Sequence, residues 1–135
     1  MRALLIPLGD DVYAIAMDRV REVVADPIAT RLPTGPLSAL GVFNLHGEIV
    51  PLFDTAALLG LGGDSRAPYA VVVESPLGPA GLSASAAPES ANLGDALATT
   101  DAASPSALYG VGDRIVTLVD VEWLLAPEHT SGRAT

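Results

Sequence analysis

Two aspartates, Asp54 and Asp120, are the residues whose type and placement most invite a chemical reading. A pair of carboxylates is equipment for general acid–base catalysis. Each, however, ends an apolar run and precedes a short stretch suited to a helix, Thr55 to Leu59 and Val121 to Leu125. An aspartate in that place is an N-cap, its side chain accepting a backbone N–H of the first turn. Capping explains both carboxylates fully. Asp18 reads as a third cap, because Val20, Val23 and Val24 follow it at helical i, i+3, i+4 spacing. His46 and Glu48 face each other across Gly47 as possible metal ligands, but no third ligand accompanies them. A nucleophilic triad needs an oriented histidine beside a serine, and the two histidines, His46 and His129, lack that context. Gly60, Gly62 and Gly63 lack the lysine of a phosphate-binding loop and read as a hinge. No catalytic residue, metal or cofactor is expected.

The elements around these residues carry more information. Ile49, Val50, Leu52, Asp54, Leu58 and Leu59 recur, at one constant offset, as Ile115, Val116, Leu118, Asp120, Leu124 and Leu125. A single long repeat in a chain of 135 residues means two similar half-domains, since solenoid repeats are shorter and more numerous. The first half reads as strands Ala3 to Leu8 and Val12 to Ala16 about the Gly9-Asp10-Asp11 turn, then the helix begun by Asp18 and stopped by Pro27. A short strand Thr30 to Leu32 follows, ended by Pro33 and the Thr34-Gly35-Pro36 turn. Next come two strands, Leu40 to Leu45 and Glu48 to Phe53, joined at His46-Gly47, where Gly47 supplies the positive φ of a tight hairpin. Gly60 ends the helix after Asp54, and residues 60–68 form the joint between a first lobe of about residues 1–60 and a second of about 69–126.

The second half restarts with strands from Tyr69 to Glu74 and from Gly81. It has a reduced turn at Ala86 to Ala91, a strand within Leu93 to Ala98 and a polar stretch from Thr99 to Ser106. A second hairpin, Leu108 to Val111 and Ile115 to Val119, leads to the helix after Asp120, with Trp123 as a packing anchor and a frayed tail from Pro127. About five short strands per half make a small barrel, an architecture that removes exposed strand edges. The expected fold is therefore mainly β, two five-stranded barrel lobes sharing a hydrophobic seam.

Composition narrows the function. The net charge of −9 opposes nucleic acid, which needs a clustered basic surface, and anionic membranes. No apolar run reaches the roughly 18–20 residues of a membrane span, and the first residues meet Pro7 and two aspartates too early for a signal-peptide core. The chain lacks cysteine, which suits a reducing compartment. A cytoplasmic, non-enzymatic binding protein is expected.

Four stretches then resemble a known family. They are Leu8-Gly9 with Val12-Tyr13-Ala14-Ile15; Val20 with Glu22-Val23-Val24; Thr30-Arg31-Leu32-Pro33 with Pro36; and Gly41-Val42-Phe43-Asn44-Leu45-His46-Gly47-Glu48-Ile49-Val50-Pro51-Leu52-Phe53-Asp54. The last is similar to the "G-V-x-N-L-R-G-x-I-x-P-x-x-D" signature of the CheW-like coupling domains of bacterial chemotaxis. The resemblance implies two intertwined SH3-like barrels and a non-catalytic adaptor between a chemoreceptor's cytoplasmic helical hairpin and the regulatory domain of a CheA-type histidine kinase. Candidate partner-binding residues are Asn44, Leu45, His46, Gly47 and Glu48 at the hairpin tip, with Val20, Val23 and Val24. Plainer readings stand beside these: His46 as an exposed turn residue, Asn44 as a turn brace, the valines as core. His46 replaces the signature's arginine, and Ser83 to Pro88 replaces the family's "V-D-x-V-x-E-V" stretch. The alternative function is a small-molecule-sensing module using the groove between the lobes.

Overall fold

The computed structural model describes residues 1–32, 38–61, 66–99 and 106–126. Eleven strands and two one-turn helices follow one another along it. β1 (Arg2–Leu8) and β2 (Asp11–Ala16) form a hairpin, as do β4 (Ala39–Leu45) and β5 (Glu48–Phe53), β6 (Tyr69–Ser75) and β7 (Gly78–Ala84), and β10 (Ser106–Val111) and β11 (Arg114–Val119). β3 (Val20–Ala25), β8 (Glu89–Asn92) and the two-residue β9 (Ala98–Thr99) complete the strands. α1 (Thr55–Leu58) and α2 (Val121–Leu124) follow β5 and β11.

The strands make two sheets, ordered β8-β1-β2-β11-β10-β9 and β3-β6-β7-β5-β4. The repeat matches β5 to β11 and α1 to α2. Each of the two strands then pairs in parallel with the second strand of a hairpin: β5 with β7 through Leu52↔Gly81, and β11 with β2 through Leu118↔Ala14. Apart from β9, the two orders are therefore one topology in which the first hairpins of the two halves have changed places. β1 and β2 complete the sheet of the second half, and β6 and β7 complete the sheet of the first. The lobes are intertwined.

Alternation along the central strands builds three cores. Leu4, Ile6 and Ile15 of the six-stranded sheet meet Val71, Val73 and Leu82 of the five-stranded sheet in a seam closed by Leu58, Val121 and Leu124. The opposite face of the five-stranded sheet buries Phe43, Leu45, Val50, Leu52, Ala70 and Val72. The other face of the six-stranded sheet gathers Ala3, Ala14, Leu93 and Val116. β6 lies between two cores, so Val71, Val72 and Val73 are all 0% exposed. Trp123 packs half-buried on the seam.

Several local expectations are corrected. The helix after Asp18 does not form. Met17–Arg19 is a 3-10 turn that begins after Ala16 without a side-chain cap, and Val20, Val23 and Val24 lie in β3. β-branched side chains favour a pleated strand, and the span before Pro27 is too short to nucleate a helix at a profit over pairing with β6. The helical spacing has a structural source, a bulge between Val20 and Glu22. It lets Val20 pack on the seam and Val24 on the barrel core. Of the strand expected at Thr30 to Leu32, the structure forms a single bridge, Thr30↔Val42. The reduced turn expected at Ala86 to Ala91 contains the start of β8, which pairs with β1; within Leu93 to Ala98 only the last residue is strand. The Thr34-Gly35-Pro36 turn, most of the Gly60 to Ser65 joint, most of the Thr99 to Ser106 stretch and the tail from Pro127 lie outside the described residues.

Candidate functional site

The β4–β5 tip is shaped by its own backbone. His46 and Gly47 have φ of 52° and 88°, the paired positive values of a type I′ turn, whose twist matches that of the strands it joins. Asn44 braces the turn, its Oδ1 accepting the Gly47 N–H at 3.1 Å. Leu45 points the other way and is 5% exposed in the barrel core. The turn thus presents Asn44, His46, Gly47 and Glu48 outward on a fixed base.

β3 comes up beside this tip. His46 Nε2 lies 3.2 Å from Glu22 Oε1, and Arg21 Nη2 donates to Glu48 Oε1 at 2.8 Å. The other Arg21 nitrogen, Nη1, lies 3.5 Å from Glu74 Oε1 on β6. The edge strand β3 therefore reaches the hairpin at the opposite edge, and Thr30 bridges β4 behind it, so the five-stranded sheet curls into a barrel. The hydrogen bond that Arg21 donates to Glu48 holds its guanidinium still more firmly protonated than usual. Exposed pairs of this kind add little to stability; their work here is to hold β3, β5 and β6 in register at the rim. Arg19 extends the row, donating to Glu122 of α2 at 2.6 Å.

The structure brings Asn44, His46, Gly47 and Glu48 together with the strand that carries Val23, which is 41% exposed. It does not bring Leu45, Val20 or Val24 to that surface. Sequence reasoning missed Arg21, Glu22 and Glu74, whose signal lay only in their contacts across strands. It also treated Ile49 as one more apolar repeat position, although Ile49 is 65% exposed. Val50, beside it, is wholly buried, and alternation sends Ile49 outward.

The two aspartates are caps. Asp54 Oδ1 accepts the Ala57 N–H at 3.2 Å, and Asp120 Oδ1 accepts the Glu122 N–H at 3.0 Å. Asp54 is 6% exposed. Beside it, Thr55 N–H donates to Ser83 Oγ at 3.0 Å and Thr55 Oγ1 donates to the Ser83 carbonyl at 2.7 Å. Ser83, within the stretch that departs from the family pattern, thus ties α1 to β7. Asp54→Ala is expected to cost about 2 kcal/mol and Asp120→Ala about 1 kcal/mol or less, read from urea midpoints, because only the first leaves a buried helix end unsatisfied. Equal costs would contradict this ordering. Among the described residues, no group of three or more His, Asp or Glu is placed to hold a metal ion, and no helix is long and apolar enough to cross a membrane.

With this geometry in view, the comparisons with known proteins decide the family. The model of the CheW-like domain matches residues 2–129. The chain belongs to the CheW-like domain family. Among similar proteins, a probable chemotaxis protein CheW of Rhizobium etli is 36% identical over 67 residues, 49% of this chain and 43% of the relative. A chemotaxis protein CheW of Helicobacter pylori is 37% identical over 59 residues, 44% of this chain and 36% of the relative. The chain thus aligns with less than half the length of these curated relatives. In fold, this CheW-like domain matches the crystal structure of the scaffolding protein TtCheW from Thermoanaerobacter tengcongensis. The TM-score is 0.79 at 23% identity, over 91% of this chain and 86% of that one. The mainly β, two-lobed architecture expected from the repeat is the fold of this family member.

Proposed function

We propose that this CheW-like domain is a non-catalytic cytoplasmic adaptor that couples chemoreceptors to a CheA-type histidine kinase. The observation that carries the reading is the CheW-like match over residues 2–129. The names of its relatives, chemotaxis proteins and a scaffolding protein, support it. The physics suits the role. A braced hairpin tip and an edge strand locked by Arg21 form a surface that loses little entropy on binding. The resemblance to the family implies an α-helical receptor hairpin along the join between the two barrels, held by its apolar i, i+3, i+4 anchors. Contacts that are weak singly gain strength when an adaptor holds two partners at once.

The tip residues Asn44, His46, Gly47 and Glu48, with Val23 beside them, are proposed as the surface for the kinase regulatory domain. Titrating labelled protein with that domain, and separately with a receptor hairpin, is expected to shift amides of the tip and of the join between the barrels respectively. No change with either partner at about millimolar concentration would sink the reading. His46→Arg, which restores the family signature's residue, is expected to tighten kinase-domain binding several-fold if the tip meets an acidic surface, because a guanidinium brings a fixed charge and a fork of donors. Unchanged or weaker affinity removes His46 from the contact surface.

A further inference from the structure

The two barrels have equivalent mouths that are closed differently. In the five-stranded barrel the hairpin-closing pairs are Leu45↔Glu48 and, one pair in from the β6–β7 turn, Glu74↔Pro79. Their counterparts in the six-stranded sheet are Val111↔Arg114 and Pro7↔Val12. Arg21 closes the first mouth by reaching both Glu48 and Glu74, and beneath it Leu45, Val50 and Val72 are at most 5% exposed. The second mouth has proline where the first has Glu74, and no ion pair spans it among the described residues. Leu5, Val12 and Val111 are only partly buried there. What remains is a depression of about 430 Å3 lined by Leu5, Pro7, Val12, Val111 and Val116. Two charged side chains line it as well, Arg114 and Glu89. The Arg114 side chain has no hydrogen-bond or ion-pair partner among the described residues.

We propose that this open mouth binds a small aliphatic α-amino acid, its side chain in the slot, its carboxylate on Arg114 and its ammonium toward Glu89. One cation and one anion beside an apolar slot match a zwitterion with an apolar tail. A planar guanidinium takes a carboxylate by paired hydrogen bonds. The volume lies within the range of small-molecule sites. Arg114 also borders an adjoining depression with Asp10 and Asp11; the negative charge of these side chains opposes a bound carboxylate and holds affinity down. The site lies in the barrel that does not carry the His46 tip, and the inference stands apart from the partner reading.

The test is titration of the full chain with L-leucine, followed by amide shifts. Saturable binding with Kd on the order of 1 mM is expected, with shifts in β1, β2, β8, β10 and β11. Three probes each lack one feature: glycine the side chain, 4-methylpentanoate the ammonium, 3-methylbutylamine the carboxylate. Each is expected to bind at least about tenfold more weakly, the loss of one good contact. Arg114→Gln and the slot-filling Val12→Phe are expected to weaken leucine by a similar factor, while Leu77→Ala, at the exposed β6–β7 turn of the other barrel, leaves it unchanged. Absence of saturable shifts, or shifts confined to the five-stranded barrel, overturns the site. Equal binding of 4-methylpentanoate overturns the assignment to amino acids.

Discussion

Gly41→Ala is expected to destabilise the fold by about 3 kcal/mol or more, the largest single-residue effect anticipated in this chain. Gly41 has φ of 149°, in a region that L side chains avoid. It sits at a register shift between Ala39 and Gly41, the mark of a bulge. Space is also lacking: a Cβ there would meet the Thr30 carbonyl oxygen at 2.5 Å and its carbon at 2.8 Å. Both are backbone atoms, held by the paired bonds Thr30 N–H to Val42 O at 2.7 Å and Val42 N–H to Thr30 O at 2.9 Å. Relief therefore requires the bridge to open, which uncovers the edge of β4 and frees the segment leading from β3. Gly81→Ala is the useful contrast. Its added Cβ would meet side-chain atoms, Phe43 Cε1 at 3.0 Å and Leu52 Cδ1 at 3.3 Å, and overpacking against a ring that can shift costs about 1–2 kcal/mol. Urea unfolding of the two variants checks the ordering. A Gly41→Ala protein no less stable than Gly81→Ala would show that the close approach of Thr30 is not a constraint.

The same glycine opens the stretch that made the family legible. Gly41 to Asp54 codes a bulge, a braced type I′ turn and a helix cap within fourteen consecutive positions. All of these devices are local, so residue types reveal them. Asp54 and Asp120 could be read as caps for the same reason: a cap needs only the residue and the turn after it. Other features had no local trace. Val20, Val23 and Val24 carry a helical spacing because a bulge shifts the face of β3 midway, and no window of sequence distinguishes that from a helix. Glu89–Asn92 is polar on both faces and becomes a strand only because β1 offers an unpaired edge. The rim contacts of Arg21 join residues from β3, β5 and β6 that are far apart in sequence. The repeat showed that there are two like lobes. It could not show which hairpin completes which lobe, because the parallel joints β5 to β7 and β11 to β2 rest on two residue pairs each.

Those joints carry the second large prediction. Cutting the chain between Leu61 and Arg66 is expected to leave neither half folded alone, although the repeat suggests two independent lobes. Residues 1–61 would keep two hairpins, β1–β2 and β4–β5, with β3 deprived of its partner β6. Isolated hairpins are marginal in water. The seam would lose Val71, Val73, Leu82, Val119, Val121 and Leu124 from opposite Leu4, Ile6 and Ile15, leaving those side chains in water at about 1.5–3 kcal/mol each. Mixing the halves is expected to restore the fold, since every lost contact is intermolecular in the mixture. Two copies of residues 1–61 could exchange first hairpins in the same way. That pairing would set the Gly9-Asp10 turn where the intact barrel has Pro76-Leu77, and would put Ala14 where Gly81 makes room for Phe43. Heterologous pairing is therefore expected to win. Circular dichroism and amide spectra of each fragment and of the equimolar mixture decide the matter. A fragment that is folded and monomeric by sedimentation would overturn the exchanged topology, whereas two disordered halves that fold on mixing require it.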